Sequence, residues 1–133
     1  MTDTTQFLSL WPTVVMRDRL PVDQAITQAL VDEITRLDGE RADLTTGYLA
    51  DNLFTSEHPA LVWLRDCINH AVIRYIDHSA IDYAVDWHLQ GWANVNRFGD
   101  YHNLHNHPHA WLSGTYYVSV PDATSDLPGR SDR

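Results

Sequence analysis

Apolar residues recur at helical spacing in two stretches of the first part of the chain. In residues 21–37 they lie three and four positions apart, after a proline and an aspartate that suit a first helical turn. A second run with the same period begins at Pro59 and continues to about residue 78. The polar stretch between them, residues 38–58, carries the composition of a loop or of short turns. We therefore predict two helices that each bury one apolar face.

The pattern then changes to a period of two, which is the repeat of a β-strand. Residues 86–98 alternate apolar and polar side chains, and a Gly-Asp turn follows them. Residues 111–120 are rich in residues that favour strands and end before Pro121. Residues 7–16 have a similar composition and are predicted as a strand interrupted near Pro12.

This order of elements predicts an α+β fold for a single domain over residues 1–133, because the chain is too short for two ordinary domains. Residues 1–85 would form the helix-rich part, and residues 86–121 a β-motif. The last stretch, residues 122–133, has almost no apolar side chains, and we expect a loop or a disordered tail there.

The charge balance narrows the possible partners. Nine Lys and Arg residues stand against 18 Asp and Glu, which gives a formal net charge of −9. Such a chain repels phosphate backbones and anionic membranes, so we expect neither as a partner. The one cysteine, Cys67, has no internal disulfide partner, and no stretch is apolar enough for a membrane span or a secretory signal. We therefore expect a cytoplasmic location, with Cys67 as an inert core thiol.

Four of the eight histidines lie in one short stretch, YHNLHNHPHAW. Residues i and i+2 of an extended chain face the same side, so His105 and His107 can reach one metal ion together. Imidazole nitrogen suits zinc, iron, copper and nickel, and a functional site needs a third ligand. The candidates in this chain are His102, His109, His88 and Asp100. The alternative is a polar turn with no ligand.

The stretch from Trp87 to Pro121 combines the cluster with a tryptophan and an asparagine before it, a glycine turn, and a serine-glycine pair followed by tyrosines. In this combination it resembles a family of 2-oxoglutarate and iron(II)-dependent oxygenases. The residues that carry the resemblance are Trp92, Asn94, Gly99, His105, His107, Pro108, Ser113, Gly114, Tyr116, Tyr117 and Val118.

The resemblance implies a dioxygenase, an oxidoreductase whose cofactors are Fe(II) and 2-oxoglutarate and whose substrate is a small molecule or a peptide. It also implies a double-stranded β-helix, or jelly roll, with the N-terminal helices packed on it. His105 would be one metal ligand, and His107 would take a position that is more often acidic. Within the same block, Asn94 and Tyr117 are assigned to cofactor binding.

The chain departs from this pattern after Val120, where no further histidine follows and the only basic residues are Arg130 and Arg133. A jelly roll needs about eight strands, and only three or four are found here. We therefore expect a truncated, partial jelly roll that lacks the distal ligand and the keto-acid anchor. Its open sheet edge along residues 111–120 would favour a homodimer.

Two other functions remain open. The chain could be a non-enzymatic module, either a remnant or an oligomerising domain. It could also be a cupin-like metal enzyme, because Gly99 and the His105-x-His107 pair fit the opening of that motif. The glutamate that a cupin requires a few residues later is absent, since Ala110, Trp111 and Leu112 stand there.

Overall fold

A computed structural model describes residues 13–40 and 52–120 of the chain. It contains helix α1, Gln24–Glu40, then a 3₁₀ turn, Leu53–Thr55, and helix α2, Pro59–His78. Both predicted helices are confirmed. The predictions for residues 7–12 and for the tail 122–133 lie outside the described residues. In the part of the chain that the structure describes, neither helix combines the length and the apolar character needed to cross a bilayer.

Local chemistry explains where the helices begin. Before α1, the carboxylate Oδ1 of Asp23 accepts a hydrogen bond from the backbone N–H of Ile26 at 2.8 Å, as an N-cap residue does. Helix α2 begins with Pro59, whose missing N–H costs nothing at the first helical position. On the exposed side of α1, Arg36 binds Glu33 at 2.8 Å and Glu40 at 2.6 Å, which are neighbours one turn away.

The two helices pack against each other through a small core. Its buried side chains are Leu30 from α1 and Ala60, Leu61 and Leu64 from α2. Two residues from the end of the described chain, Tyr116 and Val118, cover this core. The other partly buried side chains packed on it are Leu20, Ile26, Ala29, Leu53, Phe54, Trp63 and Ile68. The apolar faces predicted for both helices are therefore the ones that the fold buries.

The predicted α+β fold with a partial jelly roll is wrong for the residues that the structure describes. No β-strand forms over 13–40 or 52–120, so the strands predicted within 86–98 and 111–120 are absent, as is the described part, 13–16, of the strand predicted over 7–16. A strand exists only where its backbone groups pair with those of a neighbouring strand. One edge of the first stretch instead bonds to Asn52 and Leu53.

The period-two pattern nevertheless reports a real property of residues 86–97, which we call the docking segment. Its apolar positions are half-buried. The positions between them are polar and exposed, except for Trp92, which is apolar and half-buried. Half-burial on alternate positions requires only that one side of the segment lies on the helices. It does not require a sheet. The pattern therefore predicts correctly which side chains are buried, but it predicts a β-strand where none forms.

Side chains attach the docking segment to the helices at both ends. The indole Nε1 of Trp87 donates to the Oδ1 of Asn69 on α2 at 3.1 Å. At the other end, the guanidinium of Arg97 pairs with Asp38 near the end of α1. Farther along the chain, Trp111 meets Tyr75 edge to face, with ring centroids 6.2 Å apart. The segment is thus placed by side-chain contacts with both helices.

The residues before α1 are attached to α2 in the same way. Arg74 pairs with Asp18, and the hydroxyl of Tyr75 donates to the carbonyl of Val14 at 3.3 Å. The hydrogen bond from Arg74, together with the backbone N–H of Arg19, lowers the pKa of the Asp18 carboxyl. A carboxyl with a lowered pKa keeps its pairing down to a more acidic pH than usual and loses it as the pH falls through that lowered value.

The middle of the docking segment is held by residues just before α2. The Nδ2 of Asn52 donates to the carbonyl of Leu89 at 2.6 Å, and its Oδ1 accepts from the N–H of Gly91 at 3.0 Å. The N–H of Leu53 donates to the carbonyl of Gly91 at 2.8 Å. These three hydrogen bonds, which we call the Asn52 clamp, take the place that a neighbouring strand would occupy.

Gly91 is tightly enclosed at this point, and a larger residue should destabilise the fold. A Cβ there would lie 2.8 Å from Cδ2 of Phe54 and closer still to Cε2. We expect Gly91→Ala to lower the free energy of unfolding by about 1–3 kcal/mol, because the Phe54 ring must leave its place on the core. Urea denaturation measures the change. Gly114→Ala is the matched control, since a Cβ at Gly114 meets nothing within 4 Å. Equal effects of the two substitutions would contradict the prediction.

Candidate metal centre

A tight turn brings the histidine cluster back along the docking segment. The N–H of Asp100 donates to the carbonyl of Arg97 at 3.0 Å, and the N–H of Arg97 donates to the Oδ2 of Asp100 at 2.7 Å. Gly99 has a φ of 91°, a conformation that glycine adopts without strain. The predicted Gly-Asp turn is confirmed. The Asp100 carboxylate, one of the candidate third ligands, serves here to close the turn.

Two contacts define how the returning chain lies against the docking segment. The rings of Trp92 and His107 have centroids 5.5 Å apart, with 52° between their planes. Nearer the turn, the Nε2 of His102 lies 3.2 Å from the Oδ1 of Asn96. The stretches before and after the turn therefore run antiparallel to each other.

His105 and His107 lie side by side, as predicted from their spacing. Their ring centroids are 5.0 Å apart, and the planes are nearly perpendicular at 87°. The Nδ1 of His105 lies 2.7 Å from the backbone carbonyl of Asn103. Because a carbonyl oxygen can only accept, the ring donates through Nδ1–H, which leaves the lone pair on Nε2. Histidines that bind metals commonly have this arrangement.

The surroundings of the two rings differ. His107 is half-buried against the indole of Trp92, whereas His105 is exposed. A cation at this pair would therefore have one ligand that packing restrains and one that a single backbone hydrogen bond restrains. Such a surface site keeps positions open to solvent and to small ligands.

The other candidate ligands lie apart from this pair. His102 contacts Asn96. His109 lies within a turn closed by a hydrogen bond of 3.0 Å from the N–H of Ala110 to the carbonyl of His107. His88 is exposed on the docking segment. Over the ranges 13–40 and 52–120, no three His, Cys, Asp or Glu side chains are grouped so that they could hold a metal ion. The pair thus offers two imidazoles as candidate ligands.

The residues assigned to cofactor binding are accessible to solvent. Asn94 is exposed, and the side chain of Tyr117 is 73% exposed. Tyr116, beside it in sequence, instead packs on the core, and this burial raises the pKa of its phenol. Tyr116 is therefore a neutral structural residue, and Tyr117 is the tyrosine of this pair that a ligand in solvent can reach.

Cys67 does not add a ligand to the site. It lies half-buried on α2, and burial raises the pKa of its thiol, with a further rise from the neighbouring carboxylate of Asp66. A thiol binds metals and reacts as the thiolate, so a raised pKa makes it less reactive. The raised pKa agrees with the predicted inert thiol, but Cys67 is half-buried and does not belong to the core formed by Leu30, Ala60, Leu61 and Leu64.

One comparison with known proteins bears on this site. A family model described as "Putative 2OG-Fe(II) oxygenase" matches residues 90–133, a range that includes most of the docking segment and the whole histidine cluster. No curated protein and no solved structure matches the chain. The C-terminal part of this chain is therefore similar to a 2-oxoglutarate and iron(II)-dependent oxygenase domain, and iron and 2-oxoglutarate are the cofactors that this similarity implies.

Proposed function

We propose that His105 and His107 bind Fe(II) and that the chain acts as a 2-oxoglutarate-dependent oxygenase on a small molecule or peptide. The observation that carries the proposal is the hydrogen bond of His105 to Asn103, which leaves Nε2 as the ligand atom beside the ring of His107. The family match over residues 90–133 supports iron over the other metals that imidazole accepts.

Two exposed side chains of the same stretch carry groups that a dicarboxylic acid could bind. An amide Nδ2 at Asn94 and a hydroxyl at Tyr117 are both donors that a carboxylate can accept from. Asn94 follows Trp92 by two residues, and the ring of Trp92 contacts His107, so we assign Asn94 to the keto acid. When iron and 2-oxoglutarate are bound, they supply the oxidising chemistry, and the protein holds and orients them.

An anaerobic titration tests this proposal directly. Fe(II) is added to the full chain, followed by 2-oxoglutarate, and the visible absorption spectrum is recorded. We expect saturable binding of one iron per chain and then a metal-to-keto-acid charge-transfer band. Glutarate is the matched ligand, because it has both carboxylates but no keto oxygen for the two-point chelate, and we expect no band from it. Absence of iron binding would refute the proposal.

One observation favours a second candidate function. No group of three ligand side chains is assembled in the described part of the chain, and two imidazoles alone also suit a metal-binding module without oxygenase activity. Such a module would bind iron or zinc in the same titration and give no band with 2-oxoglutarate. The titration therefore separates the two functions.

A further inference from the structure

We propose that Asn52 is a positioning residue for the histidine pair, acting through the docking segment and Trp92. The inference rests on the proposed function for its catalytic meaning, while its structural part stands on contacts alone. Asn52 lies well outside the histidine cluster in sequence, in the stretch 38–58 that the sequence predicts as a loop.

The Asn52 side chain makes a bidentate contact with the backbone of the docking segment. Its amide donates to the carbonyl of Leu89 and accepts from the N–H of Gly91, at 2.6 and 3.0 Å. In a chain of period two, these groups point to the same edge, and a carboxamide matches both at once. Because one donor and one acceptor are used together, the contact fixes which residues of the docking segment lie opposite Asn52. It does more than hold the segment close to Asn52.

Asn52 is itself held in place by hydrogen bonds. Its Oδ1 also accepts from the N–H of Phe54 at 3.1 Å, and its carbonyl accepts from the N–H of Thr55 at 3.0 Å. The Phe54 carbonyl in turn accepts from the guanidinium of Arg65 on α2 at 3.1 Å. The clamp is thereby anchored to the longer helix, so that it transmits the position of α2 to the segment.

Trp92 connects the Asn52 clamp to the histidines. Trp92 directly follows Gly91, and its ring lies 5.5 Å from that of His107, which in turn lies 5.0 Å from the ring of His105. A shift of the segment by one residue would move Trp92 to the opposite side, because its parity would change. The clamp therefore decides whether the indole restrains His107.

Asn52→Asp tests this chain of contacts with minimal change in shape. It replaces the Nδ2 donor with an oxygen that faces the carbonyl of Leu89, so the clamp loses one hydrogen bond and gains a repulsion. Asn69→Asp is the matched control: the chemical change and the added charge are the same, but Trp87 needs only the oxygen of Asn69 as acceptor. Far-ultraviolet circular dichroism verifies that the helices remain in both variants.

Two readouts are taken from each variant. The first, without metal, is the nuclear Overhauser effect between the Trp92 indole and the His107 imidazole protons. The second is the anaerobic Fe(II) affinity. We expect Asn52→Asp to lose the Overhauser effect and to bind iron about tenfold or more weakly, as for outer-shell residues of metal sites. We expect Asn69→Asp to retain both. Gly91→Ala, which disturbs the clamp from the other side, is the second variant should Asn52→Asp lose its helices.

The outcomes separate this inference from the proposed function. If the clamp variants keep the Overhauser effect, or lose it with unchanged iron affinity, the positioning role is refuted. If the wild-type chain binds no iron but the effect disappears in Asn52→Asp alone, the placement of Trp92 by Asn52 is upheld and the oxygenase proposal fails.

Discussion

We expect the replacement of either His105 or His107 with alanine to abolish tight Fe(II) binding, and the replacement of both to leave no specific site. Each substitution removes one of the two imidazoles that the structure places side by side. We expect a loss of at least 100-fold in affinity, since even residues behind the ligands contribute about 10- to 100-fold in metal sites. Anaerobic calorimetry with Fe(II) measures the effect.

His109→Ala is the control for these variants. His109 belongs to the same stretch of sequence and has the same spacing, but the turn after His107 separates it from the pair. We expect its removal to leave iron affinity unchanged. If all three variants lose affinity equally, the cluster binds metal without the specific pairing of His105 and His107. If none does, these histidines are not ligands.

We expect Leu61→Ala to lower the free energy of unfolding by about 2–5 kcal/mol, the range found when a buried leucine is truncated. Leu61 is only 1% exposed and is one of four buried core residues between α1 and α2 in residues 13–40 and 52–120. A small domain has only a few kcal/mol in reserve, so a cavity in so small a core removes much of its stability. Urea denaturation followed by circular dichroism provides the measurement.

Ile73→Ala provides the comparison on the same helix. Ile73 is 44% exposed, so its truncation opens no cavity, and we expect a change within about 0.5 kcal/mol. Similar losses from both positions would mean that burial does not distinguish them and that the core between the helices is not the source of stability. The pair of variants therefore tests the fold independently of any metal.

The sequence predicts the helices well because their apolar spacing, the Asp23 cap and the Pro59 start all act locally. It also predicts the proximity of His105 and His107, since two residues separated by one share a side of an extended chain. These properties depend on neighbours within a few positions. No distant residue is needed to produce them.

The sheet was predicted wrongly because the partner of a strand is not encoded in the strand itself. Residues 86–97 have the alternation of a strand, yet their backbone at residues 89–91 bonds to the side chain of Asn52 and to the N–H of Leu53, and not to a neighbouring strand. No composition or spacing marks Asn52, which is one polar residue in a polar stretch. Asn69 is equally unmarked in the sequence. It accepts a hydrogen bond from Trp87 because the chain folds back onto α2, and no pattern in α2 indicates this contact.

A segment that is attached by individual side chains can detach in parts. Ladder hydrogen bonds of a sheet open together, whereas the contacts at Trp87, Gly91 and Arg97 are made to different parts of the chain and can break one at a time. Amide hydrogens of the docking segment should then exchange with solvent through local openings while those of α2 exchange only when the whole domain unfolds. A ligand that closes over the histidines would slow the first process and leave the second nearly unchanged.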